Sequence, residues 1–259
     1  MAWDKEVAVN DPQYGWWLPP QISAHGDDID LMINIIHWFM LALFVGWSLF
    51  IVFCLVRFRE RPGHVAVYQP IEARFNRWLE VGVAVAEAAI LIAFAMPVWA
   101  KVKTLFPIND TNTIIVRVVA EQFKWLFHYP GKDGKFGRTG PEYYADDNPA
   151  GLDFDDDDGI DDITVRGMHI PVDTPIIARL VTKDVIHSFK IPVMRITQDV
   201  IPGMEIPIWF EARSTGKFQI GCAQLCGLGH YEMKAKFTVA SKQDFQRWLD
   251  EEHSALGLD

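Results

Sequence analysis

Apolar and polar positions divide this chain into two unlike parts. The first part holds two long, nearly unbroken apolar runs. One spans about Leu31 to Val56, with Asn34 and His37 near its start; the other spans about Trp78 to Val98 and contains Glu80 and Glu87. About 20 apolar residues suffice for a helix to cross the hydrocarbon core. Both runs are therefore expected to be membrane-spanning helices rather than buried helices of a soluble core. A lipid-facing carboxylate is costly, so Glu80 and Glu87 are expected on a protein-facing side. Gly82 and its neighbouring alanines suit close helix packing.

Beyond about Lys101 the pattern shortens to strand length. Runs rich in β-branched and aromatic residues are Thr113–Ala120, Gln122–Tyr129, Ile163–Arg166, Pro175–Thr182, Val185–Pro192, Glu205–Ala212, Lys217–Gly221 and Lys234–Ala240. Short strands punctuated by Gly and Pro predict an antiparallel sandwich or barrel. Ser241–Glu252 has helical spacing, with Phe245, Trp248 and Leu249 on one face. The predicted divisions are an outer N-terminal segment over 1–30, a hairpin over 31–98, a β domain over 101–240 and a helix with tail over 241–259. Between two strands lies an acidic insertion over about 130–162. Its run Asp155–Asp158 ends on Gly159, out of phase with a calcium loop, so a solvated acidic loop is the expectation.

Charge orients the hairpin. Arg57, Arg59, Arg61, Arg74 and Arg77 cluster between the spans against Glu60 and Glu72, whereas the first thirty residues hold six acids and one Lys. The positive-inside rule places the loop over about 57–77 in the cytoplasm and both chain ends outside. The start of the chain has no basic segment followed by an apolar core, so no cleavable signal peptide is expected. A formal net charge of -10 argues against nucleic acid as a partner and suits a basic protein partner on the outer face.

The chemistry concentrates near the C-terminus. Of three cysteines, Cys54 sits in the first apolar run, where packing is its expected role. The other two lie in Cys222–Met233 (CAQLCGLGHYEM), with His230 four residues after Cys226 and Met233 three further on. Thiolate and thioether are soft ligands that favour copper, and imidazole suits copper or zinc. Two thiolates this close can each bridge two metal ions, with one imidazole closing each ion. His187, in Asp184–Phe189 (DVIHSF), is the candidate second imidazole. A Cys2His2 zinc site leaves Met233 without a purpose, and a mononuclear blue-copper site leaves one thiol over. A disulfide leaves the histidines as bystanders.

CAQLCGLGHYEM resembles the CuA loop of cytochrome c oxidase subunit II, and DVIHSF resembles that family's first histidine motif. Asp199–Gly203 (DVIPG) and Gln122–Trp125 (QFKW) resemble further family segments. The resemblance covers nearly the whole chain. It implies a two-helix transmembrane hairpin followed by an all-β, cupredoxin-like Greek-key barrel or sandwich. It further implies two copper ions bridged by Cys222 and Cys226, one completed by His187 and Met233, the other by His230 and the Gln224 backbone carbonyl. Electrons would enter from a cytochrome c-type donor near Phe123 and Trp125. They would leave for the haem of subunit I, where oxygen is reduced, and subunit III would be a further partner. Glu80 would stand at a proton-path entrance, with Glu87 as its rival. The implied location is a bacterial inner membrane with the β domain in the periplasm. A CuA-bearing nitric-oxide reductase of the haem–copper family is the alternative.

The chain departs from the family pattern at several positions. Gln224 stands where the family commonly has Glu, which puts magnesium at the subunit I interface in question, because a neutral amide binds a hard cation less well. Phe123 stands where the family has tryptophan. Thr197 and Met204 replace a Lys and an Arg around DVIPG. No Cys-x-x-Cys-His motif occurs, so no covalently attached haem is expected.

Overall fold

The computed structural model describes residues 18–65, 74–108 and 110–257. The early acids of the N-terminal segment, Trp16, Trp17 and Glu72 of the arginine-rich loop lie outside the described residues. The chain forms two units, Asp28–Lys101 and the remainder.

The smaller unit is helical. Helix α1 spans Gly26–Arg57, and α2 (Arg74–Ile90) continues through a π-turn at Leu91–Ala95 into α3 (Met96–Lys103). Pro97 accounts for the turn. It has no N–H for the carbonyl one turn back, and its ring crowds that carbonyl; Met96 N–H instead reaches Leu91 O. The continuous stretch Asn76–Lys103 and α1 are both long and apolar enough to cross a membrane, and their apolar windows are not buried among the described residues. The second helix thus runs past the expected end at Val98. Lys101 pairs with Asp28, so the end of α3 lies beside the start of α1. Glu80 and Glu87 are two turns apart on one face of α2, and both are exposed. A Cβ added at Gly82 would meet nothing within 4 Å. The close packing expected at Gly82 is therefore not made among the described residues.

The larger unit is a sandwich of two five-stranded sheets, ordered β3-β2-β1-β5-β8 and β4-β10-β9-β6-β7. The strands are β1 (Ile114–Glu121), β2 (Lys124–Tyr129), β3 (Ile163–Val165), β4 (Gly167–Pro171), β5 (Pro175–Thr182), β6 (His187–Ile191), β7 (Ile196–Val200), β8 (Ile206–Glu211), β9 (Gly216–Cys222) and β10 (Lys234–Ala240). The sheets are mixed, not purely antiparallel: β1 runs parallel to β5 and β10 parallel to β4. Parallel neighbours need a crossover connection, and each pair is separated by intervening strands that supply it. Alternation selects the core. In β10, Ala235, Phe237 and Val239 point inward while Lys234 and Lys236 are exposed. Phe210 meets Phe237, and Trp125 meets Phe189, across the two sheets. Helix α4 (Lys242–Ala255) begins at Ser241, whose hydroxyl accepts from Asp244 N. Trp248 of α4 stacks on His169 of β4, with ring centroids 4.4 Å apart.

Strand β2 is buried on both faces after Lys124. Trp125, Phe127 and Tyr129 enter the sandwich core, and the acidic insertion covers the opposite face, with Phe136 edge-on to His128. The insertion is therefore not simply a solvated loop: Asp153 and Asp162 are buried. The Asp162 carboxylate accepts from Gly131 N at 2.9 Å and Gly137 N at 2.8 Å, and lies 2.6 Å from His128 Nε2. Gly137 packs so closely on Gly159 that a Cβ would strike the neighbouring backbone at 2.3 Å. Asp153 meets the Arg138 guanidinium at 3.0 Å and accepts from the Tyr143 hydroxyl at 3.1 Å.

Segment Pro19–Ala24 also joins the sandwich. Ile22 N donates to Val193 O, Ala24 N to Glu211 O, and Arg213 N to Ile22 O. The Arg195 guanidinium holds the Pro19 carbonyl at 2.7 Å.

Removing the Asp162 carboxylate strands three buried donors. Asp162→Ala is expected to lower the stability of the β unit by about 3 kcal/mol. Amide hydrogen exchange of the full chain should then speed up across 131–161 first; unchanged protection there would remove the anchoring role.

Candidate metal centre

Three chain segments converge at one end of the sandwich. Strand β6 opens with His187, which is fully buried. Antiparallel pairing sets Phe189 opposite Cys222, the last residue of β9. His187 lies two residues from Phe189, on the same face of its strand as the residue opposite Cys222. The loop from β9 to β10 then supplies Cys226, His230 and Met233. Its base is closed by Cys222 N donating to Met233 O at 3.2 Å, and its first turn is tied to β6 by Ala223 N donating to Ser188 O at 2.9 Å.

The donor atoms form a tight cluster. Cys222 Sγ is 3.9 Å from Cys226 Sγ, 4.0 Å from His187 Nδ1 and 3.2 Å from the Gln224 carbonyl oxygen. Cys226 Sγ is 3.6 Å from His230 Nδ1 and 3.7 Å from Met233 Sδ. The sulfurs are unbonded, well beyond the ~2.05 Å of a disulfide. Among the described residues, His187, Cys222 and Cys226 are the His, Cys and acidic side chains grouped closely enough to hold a metal ion. Met233 and Cys226 are buried, Cys222 and His230 half-buried, and Gln224 exposed. Burial first, and the neighbouring Cys222 second, push the Cys226 thiol up to about 11. A metal ion reverses that balance, because it binds the thiolate. Two thiols, two imidazoles and a thioether within this span fit soft, copper-type ions.

The two aromatic candidates separate. Phe123 is 36% exposed and lies against the metal loop: a Cβ at Gly229 would fall 2.5 Å from its ring. Trp125 is 1% exposed, with its ring 6.1 Å from that of His187. Phe123 is thus a surface group and Trp125 an interior one. Thr197 and Met204 are both exposed. Leu225, Leu228 and Tyr231 form an exposed apolar collar on the loop.

Two contributors fell within quoted motifs without being singled out. Gln122 donates through its side-chain amide to Cys226 O at 2.6 Å. Asp184 lies 2.8 Å from His187 Nε2 and accepts from Gln122 N at 2.7 Å. Burial raises the Asp184 carboxyl, but hydrogen bonds from Gln122 N, His187 and Val185 N outweigh it and hold the group below the ordinary carboxylate range. The available signal was position: Asp184 opens DVIHSF, and Gln122 opens QFKW.

A two-helix membrane anchor followed by a β-sandwich with a sulfur-rich metal loop defines the class: a membrane-tethered, cupredoxin-like metal protein. A family profile described as "Cytochrome C oxidase subunit II, periplasmic domain" matches residues 154–239. The alternative cytochrome c oxidase subunit 2 of Bradyrhizobium diazoefficiens is 36% identical over 245 residues, covering 94% of this chain and 86% of that one. Cytochrome c oxidase subunit 2 of Cereibacter sphaeroides is 27% identical over 239 residues, covering 83% and 75%. The periplasmic domain of cytochrome oxidase subunit II from Bradyrhizobium japonicum aligns with a TM-score of 0.41 at 26% identity, over 55% of this chain and 95% of that one. The chain belongs to the cytochrome c oxidase subunit II family.

The Phe123–Gly229 contact leaves no room for a methyl group. Gly229→Ala is expected to cost about 1–3 kcal/mol through overpacking, read from chemical unfolding of the full chain.

Proposed function

We propose that this chain is the electron-accepting subunit of a haem–copper terminal oxidase, holding a dinuclear CuA centre on the outer face of a bacterial inner membrane. The observation that carries the reading is the pair of unbonded thiols 3.9 Å apart, with an imidazole nitrogen near each and a thioether beside one. Cys222 and Cys226 would hold both ions through their thiolates, with His187 and Met233 serving one and His230 and the Gln224 carbonyl the other. When bound there, two coppers supply one-electron redox chemistry shared between both ions. The chain holds the ligand atoms in place before metal arrives, which keeps reorganisation small.

Electrons enter at Phe123, the aromatic group that is both exposed and against the loop. Buried Trp125 supports His187 from inside and does not meet the donor. The donor is a separate cytochrome c-type protein, drawn to an acidic chain of net charge -10. Electrons leave for the haem in subunit I, where oxygen is reduced with proton translocation. Subunit III and lipid complete the surroundings of the hairpin. The Gln224 side chain is a weak partner for magnesium. The nitric-oxide reductase alternative has no observation in its favour, and the relatives bear oxidase names.

Copper-loaded full chain is expected to hold two coppers and give a mixed-valence EPR signal spread over both ions. Cys226→Ser should abolish that signal, because a hydroxyl is a poor bridge for soft ions; Met233→Leu should keep it and shift the potential. One zinc and no copper on metal analysis would sink the reading.

Turnover of the assembled oxidase separates the electron and proton roles. Phe123→Ala is expected to slow electron uptake from the donor with the copper EPR unchanged. Glu80→Gln is expected to slow turnover more than Glu87→Gln, since Glu80 sits nearer the arginine-rich loop and water. Wild-type turnover in Glu80→Gln across the working pH range would remove its proton role.

A further inference from the structure

The C-terminal end of α1 carries a surface groove. Phe50, Cys54 and Phe58 form one row at i+4 spacing, and Ile51, Leu55 and Arg59 form the row beside it. Together they line an apolar hollow of about 440 Å³. Cys54 makes the notch, as the small side chain between two phenylalanines that are each more than half exposed. Phe58 lies just past the helix end, yet its N–H still donates to Cys54 O at 2.9 Å. Its ring sits edge-on to Phe53, and the Arg57 guanidinium lies over it, 5.4 Å from the centroid. The end wall of the groove is thus held in place. Beyond it the groove opens on charge: Arg57, Arg59 and Arg61 are all exposed, with one acid, Glu60, among them.

We propose that this groove seats one acyl chain of an anionic phospholipid, whose phosphate is held by Arg59 and the neighbouring arginines. Length fits first. From Phe50 to Arg59 a helical path rises roughly 13 Å, close to the half-thickness of about 15 Å of the hydrocarbon core. An acyl chain in the groove therefore ends at the arginines, at headgroup level. Shape then selects the occupant. A second helix is about 10 Å across with its side chains, and it packs closely against small residues. These two rows are bulky except at Cys54, and a notch one side chain wide suits a single hydrocarbon chain. An apolar helix laid over the groove would also cost the arginines their water, whereas a phosphate accepts from the guanidinium fork. Headgroup charge decides the rest. Each arginine beside an anionic lipid surface is worth about fivefold in binding, so a lipid of no net charge is held less well.

The inference rests on α1 being a membrane span and is independent of the copper reading. Its test uses the full chain in detergent, offered phosphatidylglycerol and phosphatidylcholine in equal amounts, with native mass spectrometry counting each lipid per chain. One tightly held phosphatidylglycerol is expected, favoured over phosphatidylcholine about tenfold or more, since more than one arginine contributes. Arg59→Gln should lower phosphatidylglycerol binding about fivefold and leave phosphatidylcholine unchanged. Cys54→Trp fills the notch with all three arginines present and should remove the tightly held lipid. Equal retention of the two lipids by the wild-type chain overturns the inference. Wild-type retention by Cys54→Trp also overturns it, because the arginines alone then attract the lipid and the groove seats nothing. Phosphatidylglycerol held by the isolated chain but absent from the assembled oxidase overturns it too, since a neighbouring helix then fills the groove. The wild-type preference decides even if Cys54→Trp does not fold. A chain that is soluble without detergent removes the membrane-span reading and the inference with it.

Discussion

The pairing of β6 with β9 is the constraint on which the metal site depends. It sets Phe189 opposite Cys222, and with period two along a strand it fixes the side of the sheet on which His187 and Cys222 both lie. A slip of one residue would turn His187 to the other face, and no rearrangement of the loop from β9 to β10 could then recover it. Register is secured from behind by a packed core: Phe189 is buried against Trp125, and Ile191 and Ile220 are fully buried. The hydrophobic sandwich therefore supplies the positional accuracy, and the loop from β9 to β10 needs only to fold back over a fixed edge. Its base closes through Cys222 N and Met233 O.

Burial on both faces of β2 extends that accuracy to the aromatic segment. A strand at this place in a sheet would ordinarily have one wet face. Here the acidic insertion covers it, and the cover is held by a carboxylate rather than by apolar side chains alone. Asp162 gathers two backbone N–H groups and His128 at one point. A buried carboxylate with three hydrogen-bonding partners is tolerable where an isolated one is not. Acidic composition in this segment thus has two origins: a few carboxylates build the cover, and the rest keep its outside solvated.

Much of this was legible in the sequence because it follows from local pattern. The two apolar runs, the strands at Pro175–Thr182 and Lys234–Ala240 and the helix after Ser241 carry their own periodicity. The ligand types in CAQLCGLGHYEM speak for themselves, and the structure brings His187 to them. What escaped depends on tertiary partners. Strand β4 (GMHIP) begins with Gly and ends with Pro, and forms because β10 offers a parallel edge. Strand β7 (ITQDV) has three consecutive polar residues and forms by pairing with β6. The burial of Asp153 and Asp162 could not be read from a run of acids, since charge patterning marks solvated loops far more often. Phe123 and Trp125, two residues apart, looked equivalent in an aromatic segment. Only the turn at Gln122 and the entry of Trp125 into the core tell the surface ring from the interior one. Asp184 and Gln122 are common residue types, whose role exists only once three loops meet.

Surfaces left without partners show that neither unit is complete alone. Helices α1 and α2 expose apolar side chains over windows that are not buried among the described residues, which lipid or other apolar helices can accommodate. The carboxylates of Glu80 and Glu87 share one face of α2, and a carboxylate in hydrocarbon demands a polar neighbour or water. That face therefore calls for polar neighbours or water rather than lipid tails, and Gly82 on the same helix has open space among the described residues. At the metal end, Leu228 is 97% exposed and Leu225 76%. An apolar collar beside a site of soft ligands excludes water from the ligand edge once it is covered, and it marks a contact surface by the same argument. Membrane anchor and metal loop therefore pose one physical demand: each presents apolar surface with a few polar groups set into it, and each calls for apolar surroundings that the described residues do not supply.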